Sequence, residues 1–364
     1  MSSATNVQVS RDDKRWEAEI KAELSPETLA KFRDEALKEI QRDAKVDGFR
    51  PGKAPVERII QIYGESTILR HAAEHAIQHE LPELLAEKQL PVVETPRVTI
   101  NAIESGKPLT FSARASLAPE VKLPDYKKIA EKINSQKEDL TVSDEEHAQA
   151  LGHLRRERAR IDKIEAGSEP QKAAEEAKAL ADADLPVLDD QFVQSLGYEN
   201  AEKFAEVLRE NIKNEKELQA IQKRRAGILD ELIKDSTIHY PSVLLDYELD
   251  DMEGRLAADL SQFGQTVDSF LLQQKKTREQ LRSEWTEAAD KRAKTRLVLS
   301  EIARKENIEP KHEDLEHEIE HAKEHYPQAD METLRSHIAH AMRNDMTLRF
   351  LTGEPMPEPH VHTH

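Results

Sequence analysis

The chain has 364 residues, with 53 Lys+Arg against 71 Asp+Glu, a net charge of −18, and no Cys. That balance argues against broad non-specific binding of nucleic acid, and the absence of thiols excludes disulfides, thiolate metal sites and cysteine nucleophiles. With 34% charged residues, 4% aromatics and 11 Gly, the composition fits a helix-rich, heavily solvated, elongated protein of two or three domains better than a barrel or sandwich.

Val7 to Ser10 and Trp16 to Leu24 alternate as strands around the turn Arg11-Asp12-Asp13-Lys14. Ser25-Pro26-Glu27 reads as N-cap, N1 and an acidic first turn. Leu29, Phe32, Ala36, Leu37 and Ile40 then share one helical face, which fades at Arg42. Val46 to Pro55 holds two Gly and two Pro, so it reads as a loop. One long helical stretch is expected next, through Val56, Ile59, Ile60, Tyr63, Ile68, Ala72, Ala76 and Ile77, with Pro82 kinking or restarting it. Arg97 to Ile103 and Leu109 to Leu117 read as paired strands. Residues 1–117 therefore form an α+β domain.

Long helices are expected beyond Pro119. Ser143-Asp144-Glu145-Glu146 matches a capping box opening a helix to about Ile164. Residues 165–184 hold no aromatic or β-branched side chain and read as linker or solvated helix. Helical patterns resume at Phe204, Val207, Leu208 and Ile212, and again at Ile221, Ile228, Leu232 and Ile233. Tyr240-Pro241 marks a break. Leu245, Leu249, Met252, Leu256, Leu260 and Phe263 form an apolar stripe ended by Gly264. Three more helices are expected around 277–305, 312–326 and 331–351, then a disordered His-rich tail over 354–364.

The first residues, Met1 to Asn6, lack a basic region followed by an apolar run, so no secretory signal is read there. No stretch approaches 18 apolar residues. There is no Gly-rich phosphate loop and no Ser/His/Asp constellation, which argues against an ATP-driven machine. His71, His75 and His79 stand at i, i+4 and i+8, as do His317, His321 and His325. That spacing can hold Zn²⁺, but neither set makes H-E-x-x-H and no Cys assists, so solvated surface histidines are the better account. No cofactor and no metal is expected.

The loop Gly48-Phe49-Arg50-Pro51-Gly52-Lys53-Ala54-Pro55 is different in kind. From Arg42 to Arg58 five cations face three acids, on a chain that is acidic overall. By composition alone this is more often an ordinary helix–helix loop with Gly for its turns; an apolar side chain flanked by cations also suits a tip where Phe49 enters a protein pocket while Arg50 and Lys53 reach phosphate or carboxylate. The loop resembles the ribosome-docking signature of the bacterial trigger factor family, G-F-R-x-G-K-x-P, with all six specified positions in place. Pro51 stands where the family often has Lys, so one positive charge is absent, and Pro51 restricts Arg50 towards extended backbone. Further on, Leu185-Pro186, Phe192, Gly197 and Arg209-Glu210-Asn211 resemble the family's re-entry into its C-terminal domain. Tyr240 to Leu245, through Met252 to Gly264, resembles its later helical arm.

The resemblance implies an α+β ribosome-binding domain (1–117) followed by an elongated all-α arm-and-cradle chaperone body (118–164 and 185–353). Residues 165–184 would be a short linker. They sit where the family usually inserts a prolyl isomerase of the FK506-binding type. Such a module needs on the order of 100 residues and an apolar-walled pocket, so the isomerase is expected to be absent. The implied function is an ATP-independent chaperone that holds nascent chains at the tunnel exit. Its partners would be ribosomal protein and rRNA of the large subunit, unfolded polypeptides, and a second copy when free, with no membrane and no DNA, in the cytoplasm. The ribosome-binding residues would be Phe49, Arg50 and Lys53, with Gly48, Gly52, Arg42 and Lys45. A holdase also needs scattered apolar patches on a charged surface. Met252, Leu256, Leu260, Phe263, Phe270 and Leu271 are the candidates, although any one of them taken singly is more readily explained by packing helix on helix. The competing readings are a prolyl isomerase and a structural helical protein without clients.

Overall fold

Strands β1 (Thr5–Asp12) and β2 (Glu17–Leu24) form the expected antiparallel hairpin, with a register shift between Thr5 and Gln8. The computed structural model describes residues 2–356 apart from Pro51, Ser105, Lys137, Leu196, Ala329 and the side chains of Gln191 and Ser195. The expectations for Pro51 and for most of the His-rich tail therefore lie outside the described residues. By contact the chain divides into two units, residues 1–124 with 233–307, and residues 125–232 with 308–364.

In the first unit, Ser25 caps helix α1 (Pro26–Asp43), its hydroxyl accepting from the Thr28 amide. Helix α2 (Val56–Tyr63) and helix α3 (Glu65–Glu87) are separate, where one helical stretch was expected. Gly64 interrupts them with φ of +78°, a conformation that L side chains resist. Pro82 does not break α3. Its missing N–H deprives only Gln78 of a partner, and Gln78 lies on the exposed side of the helix.

Strands β3 (Arg97–Ala102) and β4 (Leu109–Ser116) complete a sheet of order β1-β2-β4-β3. Period-two alternation turns Ile20, Ala22 and Leu24 of β2 and Leu109, Phe111 and Ala113 of β4 to one face. There they pack on Leu29 and Ala36 of α1 and on α3 from Leu69 to Leu85. The opposite face carries Glu19, Lys21, Ser112 and Arg114.

Two three-residue strands were not legible in the sequence. They are β5 (Glu120–Lys122) and β6 (Thr237–His239), which pair antiparallel. Trp16 buttresses them. Its ring stacks on His239 at 4.6 Å and its indole N–H donates to the Ala118 carbonyl at 2.8 Å. After β6 come the helices of this unit, α9 (Ser242–Gln262), α10 (Val267–Gln274) and α11 (Arg278–Glu306). Thr266 and Thr277 each close a capping box. Helix α10 was not foreseen, because its eight residues are too short for a periodicity reading.

The second unit is helical, with α4 (Tyr126–Asn134), α5 (Asp144–Glu165), α6 (Pro170–Lys178), α7 (Asp190–Ser195) and the long α8 (Ala201–Asp235), followed later by α12 (His312–His325) and α13 (Met331–Thr352). The Ser143–Glu146 capping box is formed, and α11, α12 and α13 match their expected spans within a residue or so. Helix α6 occupies the stretch read as linker or solvated helix. It is not solvated all round, since Ala173 and Ala177 are buried. Small side chains allow that close approach without any large apolar residue. Glu354 and Pro355 are likewise held, by Arg225 and Arg349. Among the described residues no helix is long and apolar enough to cross a membrane. The architecture is an N-terminal α+β part with a mostly helical remainder.

Candidate functional site

The loop between α1 and α2 is anchored at its base and open at its tip. Val46 and Ala54 enter an apolar cluster with Leu37, Ala44, Ile59 and Ile68. The Gln41 amide donates from Nε2 to the Ala54 carbonyl at 2.5 Å, and the Gly52 N–H donates to the Gln41 carbonyl at 3.1 Å. Between these ties the chain makes two tight returns, Phe49 N–H to Val46 O and Lys53 N–H to Arg50 O. Gly48 has φ of +85° and Gly52 of +77°. Both glycines are required by backbone conformation, since a Cβ at either would find room.

Phe49 is 44% exposed at the tip. An exposed Phe costs hydration free energy that a partner's pocket recovers. Lys45, Arg50 and Lys53 are exposed, and among the described residues none has an acidic partner. Arg42 is the exception among the seven loop candidates. It pairs with Asp43 through Nε at 2.9 Å and with Glu39 at 3.5 Å. The hydrogen bond from Arg42 holds the Asp43 carboxyl below its ordinary range. The loop thus presents a phenyl ring and three free cations, with Arg42 already compensated.

Sequence reasoning read the neighbouring α2 as helix but did not single out its exposed apolar side chains. Ile59 faces the core, while Val56, Ile62 and Tyr63 are 37%, 49% and 37% exposed. The apolar arc is wider than the core requires. That width was the available signal.

The apolar candidates on α9 and α10 separate into two groups. Leu271 is buried with Val267 and Leu281, and Leu256, Leu260 and Trp285 pack against them. These residues hold helix on helix. Met252 and Phe270 are half-buried. Phe263 is 80% exposed at the α9 C-terminus, and Leu272, which the stripe did not single out, is also 80% exposed. Leu271 and Leu272 are adjacent, and only packing decides which one faces inward.

Of the histidines at i, i+4, i+8, His321 and His325 meet ring edge to ring face at 5.1 Å between centroids, and two of the first set have other neighbours. His75 Nε2 lies 3.0 Å from Glu39, and the His79 ring tilts against Phe32 at 5.6 Å between centroids. Among the described residues no three metal-ligating side chains converge.

The family model described as bacterial trigger factor protein (TF) matches residues 5–154, and that of its C-terminus matches residues 200–349. The trigger factor of Halothermothrix orenii is 26% identical, over 83% of this chain and 86% of its own. That of Bacillus pumilus is 24% identical over 417 positions, which take in 92% of this chain and 97% of its own. As 92% of 364 residues is about 335, about 82 of those positions have no residue here. A solved structure from work on promiscuous substrate recognition in folding and assembly activities of the trigger factor chaperone superposes with a TM-score of 0.55 at 16% identity. It covers 96% of this chain and 100% of that one, a likeness of fold. With family models matching well over half of its length, the chain belongs to the bacterial trigger factor family.

Proposed function

We propose that this member is an isomerase-free trigger factor that docks on the large ribosomal subunit through the Phe49 loop and holds emerging polypeptides. As a trigger factor it is a ribosome-associated chaperone. The observation that carries the docking assignment is the exposed Phe49 between unpaired Arg50 and Lys53, on a loop whose base is locked. Phe49 enters an apolar pocket of a ribosomal protein, and Lys45, Arg50 and Lys53 meet rRNA phosphate or acidic side chains. A locked loop spends little ordering free energy on docking.

Client binding rests on exposed apolar side chains such as Phe263 and Leu272 set among dense charge. Each contact is weak, so clients leave by dissociation and no nucleotide is needed. The free protein pairs with a second copy through the same sticky surfaces. It acts in the cytoplasm, without membrane or DNA partners.

The absence of the isomerase is supported by the stretch that neither family model matches, residues 155–199. Forty-five residues cannot house a module of about 100. Helix α5, helix α6 and the segment before α8 account for most of them. The aligned positions of a relative that find no residue here point the same way.

Co-sedimentation with 70S ribosomes tests docking. The wild type pellets, and Phe49→Ala/Arg50→Ala/Lys53→Ala stays in the supernatant at low and moderate salt. If neither pellets, the docking assignment is wrong. A proline-limited refolding reaction tests the isomerase. No acceleration is expected at catalytic concentration, and any acceleration overturns that part.

A further inference from the structure

Residues 182–193 lie as a strap along the basic face of α5. The Arg155 guanidinium donates to two consecutive carbonyls, from Nη2 to Leu185 O at 2.6 Å and from Nε to Pro186 O at 2.8 Å. Arg156 pairs with Asp182. The Arg158 guanidinium sits 4.5 Å over the Phe192 ring. Leu185 and Val193 are buried, at 4% and 0% exposure, while Val187 between them is 78% exposed. Leu185 is extended, with φ of −72° and ψ of 139°. From Leu185 to Asp189 the strap belongs to no helix or strand.

This is how a protein grips a peptide rather than how it packs a core. A guanidinium fork on two successive carbonyls reads the main chain whatever its side chains are. Arg158 takes any aromatic ring by cation–π attraction. Arg156 takes any acid. The apolar anchor Leu185 adds burial of its side chain. From Leu185 to Asp189 a buried side chain followed two residues on by an exposed one fits an extended ligand, and Phe192 and Val193 are carried by the first turn of α7.

We propose that the arginine face of α5 is a peptide-binding groove, filled in the resting chain by its own residues 182–193, and that unfolded segments carrying an acid, an apolar anchor and an aromatic compete for it. The competitor rests on the chaperone reading; the groove does not.

Fluorescence anisotropy with a labelled synthetic peptide of residues 182–193 tests the groove directly. Leu185→Ser/Phe192→Ser in the full chain loosens the strap and leaves α5 intact. The peptide binds that variant at least tenfold more tightly than the wild type, and adding Arg155→Ala/Arg158→Ala abolishes binding. Absence of binding to the loosened chain, or binding indifferent to the arginines, overturns the groove. Hydrogen exchange on the unaltered chain tests competition without any substitution. With saturating reduced, carboxymethylated α-lactalbumin, the amides of 187–193 exchange at least tenfold faster. Unchanged exchange, while aggregation of an unfolded reporter is still suppressed, overturns competition. Loss of that suppression altogether counts against the chaperone reading, and the peptide titration still decides the groove.

Discussion

Arg225 on α8 and Glu354, just past the end of α13, form a two-point ion pair, Nε to Oε1 at 2.8 Å and Nη2 to Oε2 at 2.6 Å. The third nitrogen, Nη1, reaches Asp345 at 3.0 Å. The pair joins residues 129 apart in sequence and fixes the chain beyond the last helix. Hydrogen bonds from Arg225 hold the Glu354 carboxyl below its ordinary value, against the opposing push of partial burial. Glu354→Gln should lower the stability of this unit by about 2 kcal/mol at pH 7. A depressed carboxyl stabilises the fold above its unfolded value and loses that contribution as pH falls through the folded one. The gap between wild type and Glu354→Gln should therefore close as pH drops below the ordinary value of 4.5. Urea unfolding followed by circular dichroism at pH 7, 5 and 3.5 measures it. A gap that stays constant across that range would refute the assignment.

Glu248 is the most buried charge in the first unit, at 2% exposure. Arg292 and Arg296 of α11 reach it at 3.1 and 2.8 Å, and Arg292 also pairs with Asp251. Removing one partner of such a group leaves the other uncompensated. Because both arginines are more than a third exposed, water relieves them, and Glu248→Ala should cost about 3 kcal/mol, the low end for buried pairs. The triple change Glu248→Met/Arg292→Met/Arg296→Met should cost less than Glu248→Ala alone. Trp285 fluorescence in urea reports both. Equal losses would show that the cost is packing and not charge.

Much of this architecture is legible locally. Ser143 and Glu146 announce a capping box and form one. The two strands around 105–108, the three C-terminal helices and the loop at 46–55 follow from period and punctuation. What was not legible is what depends on distant partners. Strands β5 and β6 have three residues each, and neither has a pattern until the other lies beside it. Phe263 and Leu271 belong to the same apolar set, yet one is exposed and the other buried, because the packing of α10 and α11 decides and periodicity does not. At the loop, sequence supplied the residue types and the family likeness. Only the structure separates Arg42, already paired, from the unpaired Lys45, Arg50 and Lys53.

Two glycines should respond in opposite senses. Gly48 has φ of +85°, so Gly48→Ala forces an L residue into the left-handed region and should cost about 1 kcal/mol. It should also weaken ribosome co-sedimentation, because the Phe49 tip is displaced. Gly254 lies inside α9, where an added Cβ meets nothing within 4 Å. Gly254→Ala should stabilise by about 0.5–1 kcal/mol and leave co-sedimentation unchanged. Urea midpoints and pelleting assays for the two variants give both readings. Gly48→Ala pelleting like wild type would mean that the tip tolerates either conformation.

The exposed end of α9 and α10 separates client binding from folding. Phe263 and Leu272 are each 80% exposed and contribute little to the fold. Phe263→Ser/Leu272→Ser should leave the unfolding free energy in urea within about 0.5 kcal/mol of wild type. Leu271→Ala, by contrast, opens a cavity beside Val267 and Leu281 and should cost about 2–3 kcal/mol. If the tip holds clients, the double serine variant suppresses aggregation of an unfolded reporter less well, although it is as stable as wild type. Leu271→Ala loses suppression only in proportion to the fraction unfolded. Full suppression by the serine variant would move client binding off this tip and onto other apolar surface of the chain.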